Sequence, residues 1–213
     1  MLINSNENQM ILKDRIVDEA TGLFFRSGIR AITMDDISRE AGVSKRTVYE
    51  NFKDKDELLR SCLIKLDKLH EKETHHLISD AENTIDLVFR MLEHGISAIN
   101  SINPLFITDL KRYHYRIWKE TYTINYERHL SHIFTIIKKG INEGLFRREI
   151  NIDIVAILLN QQLNIMSDDQ IFPEGKFSKT AVFEHIIINF LRGIATEKGL
   201  KMIEKHIPEK GNK

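Results

Sequence analysis

Thr33 to Lys55 reads TMDDISREAGVSKRTVYENFKDK, and this stretch decides the fold. Thr33 is a good helix N-cap, and Asp36 three residues on makes a near capping box. The spacing predicts a short helix from Met34 to Ala41, stopped by Gly42. Val43 is apolar, and Ser44 caps a second short helix carrying Lys45, Arg46, Thr47, Val48, Tyr49 and Glu50. Asp54 caps a third, with Glu57 in its first turn. Ile37, Ala41, Val43 and Val48 form an inward face, whereas Lys45, Arg46, Thr47 and Tyr49 fall on the other side. Short helix, glycine turn, short helix is the helix-turn-helix pattern.

The surrounding chain is also helical. Upstream, Leu12, Ile16, Ala20 and Leu23 recur at helical spacing, which predicts a helix over Met10 to Ser27 with Gly28 at its left-handed end. Downstream, Leu58, Leu59, Cys62, Leu63 and Leu66 mark the apolar face of the Asp54-capped helix, the fourth in the chain. Further periodic segments run over Thr84 to Ser101, Pro104 to Lys119, Tyr122 to Asn142, Ile152 to Met166 and Lys179 to Thr196. The run Ile133 to Ile137 suits a strand in isolation, but its neighbours keep a helical period. The tail from Lys205 to Lys213 is polar and should fray. The expectation is an all-α protein, without strands or internal repeats.

Composition narrows the function classes. The 213 residues hold 31 Lys+Arg and 31 Asp+Glu, so a globally basic nucleic-acid coat protein is excluded and a local basic patch is not. The longest apolar run, Ile154 to Leu159, is far too short for a membrane span. Met1 to Asp14 lacks the basic-then-apolar order of a secretory leader. A single cysteine, Cys62, forms no internal disulfide or multi-thiolate metal site, which points to a reducing cytoplasm.

The outward residues of the second short helix suit the major groove, where polar and cationic side chains read base edges. Ser44 directs backbone N–H groups and the positive helix end toward a DNA backbone. Lys55 starts the next helix within reach of the same backbone. Between Arg26 and Lys55, basic residues outnumber acidic ones and cluster in the second half. For Arg39 and Lys53 a solvated surface charge is the simpler reading.

The stretch Ile11 to Leu59 resembles the DNA-binding domain of the TetR-like (tetracycline-repressor) family of bacterial regulators. The resemblance rests on Phe24, Gly28, Thr33, Ile37, Ala41–Gly42–Val43–Ser44, Thr47, Val48, Tyr49, Phe52, Lys55, Leu58 and Leu59, with spacings intact. It implies a homodimer, an all-helical C-terminal domain with a small-molecule site, and usually repression. Carried over by position, Lys45 and Arg46 face bases while Thr33, Thr47, Tyr49 and Lys55 hold phosphates. The implied layout is a helix-turn-helix DNA-binding domain over 1–56 and a helical effector-binding and dimerisation domain over 57–213. Its partner is a double-stranded, near-palindromic operator.

Two features of the second half bear on effector and assembly. Tyr115, Trp118, Tyr122 and Tyr126 recur at three and four residues, which suits either a ligand wall or core packing. His94, His129 and Gln162 are further candidates for contact with an unknown small-molecule effector. Ile152 to Met166 and the Ile186–Ile187–Ile188 helix are apolar on most sides. That surplus suggests a subunit interface, a four-helix bundle with two helices from each copy, or else a central helix of a monomer.

No catalytic, metal or cofactor site is expected. His70, His75 and His76 lie near Glu71 and Glu73, but Thr74 stands where a zinc-protease motif needs histidine. Cys62 sits on an apolar face, and there is no glycine-rich phosphate loop. The expected function is a ligand-responsive repressor that is not an enzyme. A DNA-binding dimer whose second half takes no small molecule and serves only dimerisation or protein contact is the alternative.

Overall fold

The computed structural model describes residues 5–207, apart from 167, 169 and 174, and apart from the side chains of 5, 6, 122 and 124. Its helices are α1 (Ser5–Ser27), α2 (Met34–Glu40), α3 (Lys45–Asn51), α4 (Lys55–Asp80), α5 (Thr84–Ser101), α6 (Pro104–Tyr113), α7 (Tyr115–Asn142), α8 (Ile152–Ile165), α9 (Lys179–Ile194) and α10 (Glu197–His206). Among the described residues there is no strand beyond an isolated bridge between Phe146 and Ala195, and the fold is all-α. None of these helices is long and apolar enough to cross a membrane.

The chain forms two compact units. The first holds 1–72 and 101–122, so the expected 1–56 segment is part of a larger body that includes α6 and the start of α7. Its core is Ile16, Ala20, Phe24, Ile29, Ile37, Val48, Phe52, Leu58 and Leu59, joined by Phe106, Leu110 and Ile117. Each of the larger aliphatic and aromatic side chains taken out of water contributes about 1.5–3 kcal/mol before the entropy of ordering is set against it. Gly28 ends α1 with φ +79° and Gly42 ends the α2 turn with φ +61°, conformations that favour glycine.

The second unit holds 73–100 and 123–213. Ile85, Leu92, Ile137, Phe146, Leu159, Ile187, Leu191 and Ile203 are buried together in it. The segment after α7 pairs with the segment after α9: Arg147 N–H donates to the Ile194 carbonyl and Thr196 N–H to the Leu145 carbonyl, each at 2.9 Å. Thr196 then caps α10, a helix that the sequence pattern did not reveal. Gly199 in its first turn weakens the local signal, yet a Cβ there would lie 2.1 Å from the Leu145 carbonyl oxygen. Close approach therefore requires glycine.

Boundaries moved elsewhere. α1 begins at Ser5 and not at Met10, and the break expected between Lys119 and Tyr122 falls at His114. No proline or glycine marks that break. His114 leaves helical geometry at φ −124°, ψ 38°, and its Nδ1 lies 2.8 Å from Asp56 Oδ1. Residues 208–213 of the expected frayed tail lie outside the described residues.

Candidate nucleic-acid interface

The first unit presents two short capped helices. Thr33 Oγ1 accepts from Asp36 N–H at 3.2 Å, and Thr33 N–H donates to Asp36 Oδ2 at 2.9 Å, closing the capping box. The Thr33 hydroxyl, donating to Asp36 Oδ2 at 2.6 Å, and then the Thr33 N–H hold the Asp36 carboxyl below its ordinary 3.8. Ser44 Oγ accepts from Thr47 N–H at 3.0 Å and lies 2.8 Å from Thr47 Oγ1. One buried residue, Val48, anchors the inner face of α3, which leaves Lys45, Arg46 and Tyr49 exposed. Tyr49 keeps 47% of its surface in water. Val48 in the core and the Ser44 cap fix which side of this two-turn helix faces outward.

The two outward cations have acidic neighbours. Lys45 Nζ lies 2.7 Å from Asp35 Oδ1, and Arg46 Nε lies 2.8 Å from Glu50 Oε1. Asp35 raises the Lys45 pKa and Glu50 that of Arg46, chiefly by hydrogen bonding. All four side chains are more than half exposed, so these pairs are weak and exchange readily with solvent or a phosphate. Asp35 and Glu50 were not singled out from sequence as partners of these cations.

Lys55 is placed differently from the rest. Its ammonium turns inward and donates to the carbonyls of Ile29 and Ile32. Burial pushes its pKa down, while Asp109, Asp56 and Asp36 act in the opposite sense. Asp109 was not singled out from sequence. The available signal was its place three residues after Phe106 and one before Leu110, a carboxylate on the buried stripe of α6.

The expected effector contacts are distributed over both units. Tyr115 is exposed, and Trp118 packs against the core of the first unit with Lys111 Nζ 5.1 Å from its ring centroid. In the second unit His94 Nε2 lies 3.1 Å from Glu73 Oε2, Tyr126 OH accepts from Gln161 Nε2 at 3.3 Å, and His129 is exposed. The Tyr122 side chain lies outside the described residues. Gln162 lines an open groove of about 770 Å³ between α8, α9 and the loop that joins them. Its walls are mostly apolar, with Val155, Leu158, Ile165, Phe172, Phe177 and Ile186 prominent. Beside it, Ile154, Ile157, Leu158 and Ile165 of α8 remain exposed, at 56%, 43%, 55% and 39%. The surplus of apolar surface expected on both helices is concentrated on α8, since Ile187 and Ile188 of α9 are buried.

A capped, outward-facing α3 set one glycine turn after α2 defines a helix-turn-helix DNA-binding protein. Comparison with known proteins narrows the class. Residues 16–62 match the profile of the family described as "Bacterial regulatory proteins, tetR family". An uncharacterized HTH-type transcriptional regulator, YvaF of Bacillus subtilis (strain 168), is 23% identical over 188 residues, covering 86% of this chain and 96% of the relative. The HTH-type transcriptional repressor KstR2 of Rhodococcus jostii (strain RHA1) is 26% identical over 156 residues, covering 67% and 71%. The crystal structure of a transcriptional regulator from Saccharomonospora viridis, solved in complex with choline, superposes with a TM-score of 0.68 at 19% identity, over 88% of this chain and 100% of that one. Residues 16–62 thus match the TetR family's DNA-binding domain, and the relatives that match most of the chain are transcriptional regulators.

Proposed function

We propose that this regulator is a ligand-responsive repressor that binds a near-palindromic operator as a homodimer. The observation that carries the DNA reading is the Ser44-capped α3, with Lys45, Arg46 and Tyr49 exposed on one side and Val48 buried on the other. Arg46 and Lys45 exchange their carboxylate partners for base edges, Arg46 matching guanine in the major groove. Thr33, Thr47 and Tyr49 hold phosphates and set register. The N–H groups at the Ser44 end of α3 add to that hold.

The dimer reading rests on the apolar α8 face and its groove, for which a second copy of the same face is the natural cover. Two recognition helices then address DNA about one helical turn apart, ~34–36 Å, which calls for operator symmetry. α4 runs unbroken from Lys55 to Asp80, from the first unit into the second. An effector held in the second unit that favours one setting of this helix shifts the population of DNA-competent dimers. A coupling of about 1–3 kcal/mol changes operator affinity roughly 5–150-fold. The protein works in the cytoplasm, where its DNA is.

Gel-shift of duplexes flanking the protein's own gene tests the reading, followed by titration of candidate small molecules against the complex. Retarded bands that Arg46→Ala weakens support it. Unchanged retardation in Arg46→Ala and Tyr49→Ala sinks the α3 assignment. A complex that no small molecule releases favours a second half serving dimerisation alone.

A further inference from the structure

The family resemblance places Lys55 on a phosphate, but its surroundings give it other work. Its ammonium donates to the carbonyls of Ile29 and Ile32 and lies 5.8 Å from the centroid of the Phe24 ring. Those two carbonyls bracket the turn that leads directly into Thr33, the cap of α2. The same turn is gripped from α6. Asp109 Oδ2 accepts the Arg30 N–H at 2.7 Å, and the residue is only 8% exposed. Gly28 opens the turn at φ +79°, and a Cβ there would meet Asp109 Oδ2 at 3.0 Å. α6 is itself fastened to the end of α1, with Asn103 N–H donating to the Phe25 carbonyl at 2.8 Å and its Nδ2 to the Arg26 carbonyl at 2.9 Å.

Two opposite charges therefore act on one five-residue turn, Lys55 through its carbonyls and Asp109 through its N–H. The Asp109 carboxylate favours the charged form of Lys55 against the burial that opposes it. Neither charge is cheap to bury alone, and each compensates the other. We propose that Lys55 and Asp109 are positioning residues for DNA binding, a charge couple that holds the 28–32 turn and with it the Thr33 end of α2 at the setting an operator requires, with Lys55 bound to no phosphate. The proposal rests on the reading of α2 and α3 as the DNA-binding elements.

The two roles for Lys55 separate in salt dependence. A cation that neutralises a phosphate contributes about 0.9 to the slope of log K against log salt, so its loss from both copies of a dimer flattens the slope by roughly 2. Loss of a positioning residue lowers affinity and leaves the slope alone. The couple also predicts non-additivity, because removing one charge strands the other and removing both does not.

The experiment takes a duplex that the wild-type protein selects from a random-sequence library. It measures affinity across a salt series for wild type, Lys55→Met, Asp109→Asn and the double variant, at a temperature where circular dichroism shows every variant folded. We expect each single variant to bind at least tenfold more weakly at unchanged slope, and the double variant to recover most of the Lys55→Met loss. Lys55→Gln, which retains a donor for one carbonyl, replaces Lys55→Met if the latter does not fold. A slope flattened by about 2 without recovery in the double variant makes Lys55 a phosphate contact and overturns the proposal. Wild-type affinity in Asp109→Asn overturns it too. If the wild type selects no duplex, the DNA reading fails and this inference falls with it; a selected duplex with a flattened slope removes this inference alone.

Discussion

α3 and the outer face of α8 are both surfaces awaiting a cover, and they are unfinished in opposite ways. α3 shows Lys45, Arg46 and Tyr49 to water, and its cations carry weak carboxylate partners in the meantime. α8 shows Ile154, Ile157, Leu158 and Ile165, for which water offers no substitute partner. A charged face is content in water and in a groove alike, so its binding is tunable by salt. An apolar face is costly until covered, so its association is tight and nearly salt-independent. On the proposed reading, one molecule carries an exchangeable contact and a lasting one.

The sharpest way to break this contrast is to put charge on α8. Ile157→Asp with Leu158→Asp should weaken self-association by at least about a thousandfold, since ~1.5–3 kcal/mol is lost per buried aliphatic and each appears twice in a dimer. Sedimentation equilibrium checks it, and an unaltered assembly state would mean α8 is not the interface. Next, Arg46→Ala should cost about 1–3 kcal/mol of discrimination between the selected operator and a base-substituted one, read by competition gel-shift. Ser44→Ala removes the cap of α3 and should cost ~1 kcal/mol in thermal or denaturant unfolding, with a matching loss of DNA affinity.

Smaller effects sharpen the picture of the caps. Asp36 has a carboxyl pKa held below 3.8 by Thr33, so its contribution to stability is present above that value and is lost as pH falls through the lower, folded one. An acid titration followed by circular dichroism should show the Asp36→Asn variant losing part of the pH dependence in that window. Cys62, buried with its thiol pushed up to about 11 by burial, should resist a thiol reagent at pH 8 in the folded protein and react on unfolding. Prompt modification under native conditions would contradict that placement.

The helix-turn-helix was legible because its signals are local. Thr33 with Asp36, Ser44 with Thr47 and Asp54 with Glu57 each act within one turn, and the structure shows all three bonds. α10 has a local cap too, Thr196 bonded to the Gly199 N–H, but the glycine that masks its helical pattern is there for a remote reason, its close approach to Leu145. The break at His114 was hidden for the same reason, its ring being held by Asp56 on another helix. The aromatic spacing from Tyr115 to Tyr126 is real, yet Tyr115 and Trp118 belong to the first unit and Tyr126 to the second. Periodicity along one helix does not say which body each turn joins.

What the chain's letters determined alone is the all-α class, the capped α2–turn–α3 element and the residues it turns outward, since caps, glycine turns and helical periods depend on neighbours a few residues away. The destination of the Lys55 ammonium, the bond from Arg30 N–H to Asp109 and the concentration of bare apolar surface on α8 were settled only by tertiary structure. A charge or an isoleucine finds its partner across tens of residues, and only the folded chain decides whether that partner is a carbonyl, a core or nothing yet.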